Sequence, residues 1–92
     1  MDDKTTAGLG SALTAEQQRA ESQLLLWNIE HALSTLARAT ASGDPSRIAH
    51  ALHLATDTYG SIRHLLPKIG LDAHHVAEVE VQLQTLRTRL AS

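Results

Sequence analysis

The chain has no cysteine and no phenylalanine, and only one tryptophan, one tyrosine and two prolines among 92 residues. Without cysteine, a disulfide framework and thiolate-based metal or redox chemistry are excluded. With so few aromatic side chains and so much Ala and Leu, there is little to build a sheet from and much that favours helix. An excess of charge is also missing. The formal net charge is −2, which gives no electrostatic reason to expect nucleic acid or an acidic membrane as partner. No apolar run is long enough to span a bilayer, and the opening MDDKTTAGLG lacks the apolar centre of a signal peptide. A soluble cytoplasmic protein is therefore expected. Arginine far outnumbers lysine, which fits a GC-rich bacterial genome.

What is present is helical periodicity. The most apolar stretch, LLLWNIEHALSTLARA at positions 24–39, reads as the centre of a long helix. At 100° per residue, Leu26, Ile29, Leu33 and Leu36 line one stripe, widened by Leu25 and Ala32 and extended by Ser22 and Thr40. Leu24 and Trp27 fall nearly opposite, with His31 beside them. Full burial of that indole and leucine would contribute ~3–5 kcal/mol. Either the third helix or the N-terminal arm covers them, or Trp27 anchors an interface, the role in which tryptophan is enriched.

Punctuation divides the rest. Residues 1–13 are small and polar, and read as a flexible arm. Thr14 is the expected N-cap of the first helix, with Gln17 at capping-box spacing and Glu16 in the first turn. The polar first turns, including Gln18 and Arg19, are expected to project beyond the bundle or to dock on something outside the chain. The first helix spans residues 14–41, about 28 residues or ~40 Å, and Gly43 closes it. Asp44 caps the second helix and Pro45 opens it. Its seam repeats at four and three: Ile48, Leu52, Ala55, Tyr59, Ile62, Leu66. A second row, Leu54 and Leu65, makes the apolar arc wide. Pro67 is expected to end that helix at residue 66, with Gly70 closing the turn. Asp72 caps the third helix, residues 72–91, with a narrow stripe of Val76, Val79, Leu83, Leu86 and Leu90. Leu71 and Val76 have the spacing of a hydrophobic staple.

Two short connections make this an all-α, up-down-up three-helix bundle, a long first helix followed by a helical hairpin. The first helix is longer and more apolar than a partner hairpin requires. A domain at this size limit is also short of core. Both features point to a homodimer meeting through the first helix.

Signatures of chemistry are weak. On the second helix His50, His53, Asp57 and His64 share one face. His53 and Asp57, one turn apart, could hold a cation such as zinc or nickel, with His50 as a third ligand. Protonation of the same stripe near pH 6 could make the chain pH-responsive. Against this, the stripe lies opposite the apolar seam, and neither H-E-x-x-H nor E-x-x-H occurs. No Ser lies in a G-x-S-x-G turn and no Gly-rich phosphate loop is present. The layout resembles helical chorismate mutases in outline only. Those need converging cationic side chains, and Arg19, Arg38, Arg47 and Arg63 form no such set. Nucleic-acid reading is disfavoured because the second helix carries only Arg47 and Arg63, while the third has as many Glu as Arg. No cofactor or small-molecule substrate is indicated. The expectation is a non-catalytic protein–protein interaction module, an adaptor, small regulator or chaperone-like subunit, with Leu24, Trp27 and His31 at its interface. A metal- or proton-responsive helical protein is the alternative.

Overall fold

A computed structural model describes residues 14–91. They form three helices, α1 (Ala15–Ser42), α2 (Pro45–Ile69) and α3 (Ala73–Ala91), with no strand among the described residues. The expected arm, residues 1–13, lies outside them.

The caps form as the side chains dictate. Thr14 Oγ1 accepts from the Gln17 N–H at 3.1 Å, and Gln17 Oε1 accepts from the Thr14 N–H at 2.9 Å, a complete capping box. Gly43 ends α1 with φ +70°, and its N–H donates to the Thr40 carbonyl at 3.2 Å. Asp44 Oδ1 accepts from the Ser46 N–H at 3.0 Å, and Pro45 takes the first turn of α2. Asp72 Oδ1 accepts from the His75 N–H at 3.0 Å at the start of α3.

Pro67 does not end α2. The helix runs through it to Ile69 and stops at Gly70, φ +85°. Proline removes one N–H and crowds one carbonyl, a local cost near a terminus where little ladder remains. Leu66 is buried before it and Ile69 packs on the core after it. Apolar anchors on both sides hold the last turn.

All three pairs of helices touch, α1 and α2 most extensively. The main core joins Leu25, Ile29 and Ala32 of α1 to Ala55, Ile62 and Leu66 of α2 and Val79, Leu83 and Leu86 of α3. A smaller cluster of Leu36, Ala39 and Ala51, flanked by Ile48, lies nearer the first connection. The α3 stripe is the one its spacing predicts, with Val76 and Leu90 half-buried at its ends. On α1 the face is turned. Leu25, Ile29 and Leu36 lie at its centre, Ala32 and Ala39 are buried on one flank, and Leu26 and Leu33 are half-buried at the other. Thr40 is exposed rather than an end of the stripe. On α2, Ala51 is buried where Leu52 was expected, and Leu52 is exposed. The alanines explain both shifts. Ala32 and Ala55 are buried in the main core and Ala39 and Ala51 in the smaller one, and small side chains there leave the bulkier Leu26, Leu33 and Leu52 to the flanks. Arg63 of α2 pairs with Glu80 of α3 and also lies over the Tyr59 ring, 6.0 Å from its centroid.

The glycines allow a direct test. Neither Gly43 nor Gly60 has any atom within 4 Å of an added Cβ, but only Gly43 has positive φ. Gly60→Ala is expected to stabilise the chain by about 0.5–1 kcal/mol. Gly43→Ala is expected to destabilise it by about 1 kcal/mol through backbone strain alone. Urea unfolding of the two variants should show opposite signs.

Candidate interaction surface

The side of α1 that faces away from the core carries its most solvent-accessible apolar groups. Trp27 is 61% exposed and Leu24 54% exposed. They sit one turn apart, and the His31 ring stacks on the indole with centroids 5.7 Å apart and planes 14° from parallel. The imidazole packs beside the indole, which nonetheless keeps most of its surface in water. The third helix does not cover these residues, because α3 packs against the opposite side of α1, on the Leu25–Ile29–Ala32 face.

A further exposed apolar group lies on α2. Leu65 is 45% exposed and borders a shallow groove between α1 and α2, lined also by Leu25, Asn28, Thr58 and Ile62. Leu54 is half-buried. The second apolar row of α2 is therefore only partly covered by α1, so its width is not used up inside the bundle. Val81 stands on the opposite side of α3 from its buried stripe and is also exposed.

Gln18 is committed within the chain. Its Oε1 accepts from the Asp72 backbone N–H at 2.7 Å, which ties the first turns of α1 to the connection between α2 and α3. The polar opening of α1 therefore does not project free of the bundle. Its glutamine satisfies a donor at the start of α3 that the helix itself leaves unpaired. Ser22 is buried, and its hydroxyl donates to the Arg19 carbonyl at 3.1 Å. The Arg19 side chain is exposed. The only trace of this tie in the sequence is a second Gln beside the capping-box Gln17, which does not name its partner.

The histidines are dispersed. His53 Nε2 lies 3.4 Å from Asp57 Oδ2, with both side chains mostly in water. His50 lines a different shallow groove, beside Arg38 and Arg47. His64 Nε2 is 3.1 Å from the Lys68 ammonium. Among the described residues no three His, Asp or Glu side chains come together as a cation site. Two donors fall short of the four that a structural zinc site uses.

Asp72 and His75 also pair, with Asp72 Oδ1 2.9 Å from His75 Nδ1. The Asp72 carboxyl is held below the usual carboxylate range, first by the His75 backbone N–H it accepts and then by the imidazole of the same residue. Because the folded-state value is depressed, the stability this carboxylate gives is present above about pH 4 and is lost as pH falls through the lower folded-state value. Asp72→Asn keeps an N-cap acceptor but no titrating charge. Its thermal melting should therefore approach that of the parent chain as pH falls from 5 to 3.

No helix among the described residues is long and apolar enough to cross a membrane. Comparison with protein-family models, with curated proteins and with solved structures finds no match to this chain.

Proposed function

We propose that this chain is a non-catalytic helical interaction module that associates with a second copy of itself through the outer face of α1. In that form it serves as an adaptor, small regulator or chaperone-like subunit. The observation that carries the reading is the exposed Trp27 beside Leu24, with His31 stacked against the indole. A tryptophan is a costly side chain to leave in water, and fully desolvated Trp is enriched at the centres of protein interfaces. The bundle itself is small, and a second copy would add the apolar burial that a domain of this length lacks. Leu65 of α2 is a further exposed apolar side chain.

Light scattering across a concentration series tests this, with the emission of the single tryptophan followed in parallel. Self-association should raise the mean mass toward two chains as concentration increases, with Trp27 emission moving to shorter wavelength. A monomer at every concentration, with emission unchanged by dilution, removes the reading.

A further inference from the structure

The outer face of α1 is more than a pair of apolar residues. Ala20, Leu24, Trp27, His31, Ser34 and Arg38 follow one another at steps of four and three, and all six are exposed. That is a second heptad seam, on the opposite side of α1 from the buried one. Its charges are arranged with a particular symmetry. Glu16 lies eleven residues before Trp27 and Arg38 eleven residues after it. Eleven residues are within about 20° of three full turns, so all three side chains share one face. Neither Glu16 nor Arg38 forms an ion pair with another described residue.

We infer that the partner is a second copy docked antiparallel, with the two-fold axis passing between the two Trp27 side chains. This rests on the self-association proposed above and gives it a geometry. Two antiparallel α1 helices centred on Trp27 overlap over nearly their whole length, because Trp27 lies close to the middle of Ala15–Ser42. In that register Glu16 of each copy meets Arg38 of the other, so the complementary contact is made twice. Ala20 meets Ser34, two small side chains that let the axes approach on either side of the indoles. The parallel alternative sets Glu16 against Glu16 and Arg38 against Arg38, which is repulsive at both ends. Charge complementarity therefore selects the antiparallel pairing, and a two-fold interface requires such self-matching.

The absence of native cysteine makes the test clean. Ala20→Cys and Ser34→Cys are made as separate full-length chains and oxidised alone and mixed. Antiparallel docking joins only the mixed pair, because a disulfide needs Cβ atoms about 4 Å apart. Self-linking of each variant alone supports a parallel dimer and overturns this geometry while leaving self-association standing. Dimers by light scattering that link in no combination overturn it as well. A monomer overturns both readings. A charge exchange gives a second measurement. E16R or R38E alone should weaken association about tenfold, since each sets two like-charged contacts in place of two attractive ones. The double exchange E16R/R38E should restore it to within about threefold of the parent. Failure of the double exchange to recover overturns the register. Circular dichroism of each variant separates loss of helix from loss of association.

Discussion

Trp27→Ala is expected to raise the dissociation constant of the proposed dimer about thirtyfold or more, and to leave the fold of the single chain nearly unchanged. The first effect follows from the position of the indole at the centre of the exposed seam. Truncating a central interface tryptophan costs ~2 kcal/mol or more, and 1.4 kcal/mol is a factor of ten. The second follows from exposure. With 61% of Trp27 in water in the single chain, its removal forfeits little burial, and Ala is the better helix former. The stacking on His31 is lost, a small term at an exposed site. Sedimentation equilibrium gives the association constant, and thermal melting at high dilution gives the fold. Association as tight as the parent's in a chain that melts normally would remove Trp27 from the interface.

The opposite pattern is expected two residues further along, on the inner face. Ile29 is fully buried, in contact with the main core. Ile29→Ala should cost about 3 kcal/mol, the loss of transfer energy plus the cavity left behind. Small domains have only ~5 kcal/mol in total to lose. The melting temperature should drop by roughly 12–24 °C, at about 4–8 °C per kcal/mol for a domain of this size. Leu26→Ala makes the discriminating comparison. Spacing alone places Leu26 and Ile29 equally in the stripe, whereas the packed structure leaves Leu26 half-buried at its edge. Its truncation should therefore cost clearly less. Equal losses at the two positions would contradict the turned face of α1.

That contrast marks where local information ends. Thr14, Gly43, Asp44 and Asp72 act within three or four residues of their own positions, so their consequences can be read directly from the chain. The same holds for the stripe of α3, which packs along a single narrow face. Pro67 is different. A proline in isolation argues for a helix end, but Leu66 and Ile69 are anchored by residues far away in sequence, and that anchoring carries the helix past it. The displacement of Leu52 by Ala51 has the same origin. Helical periodicity defines which residues share a face, but not how closely two faces approach. The Gln18–Asp72 hydrogen bond spans 54 positions, and nothing local to either residue indicates the other.

The one-dimensional chain determined three helices, their limits to within about three residues, and the presence on α1 of a tryptophan outside its core-facing stripe. These depend on caps, breakers and the 3.6-residue period, all short-range properties. Tertiary structure decided which flank of each apolar arc is covered. It turned α1 onto its alanines, drew Gln18 into the α2–α3 connection, and left Trp27 facing water. Those outcomes depend on the relative volumes of side chains brought together from distant parts of the chain, a quantity that exists only once the helices are packed.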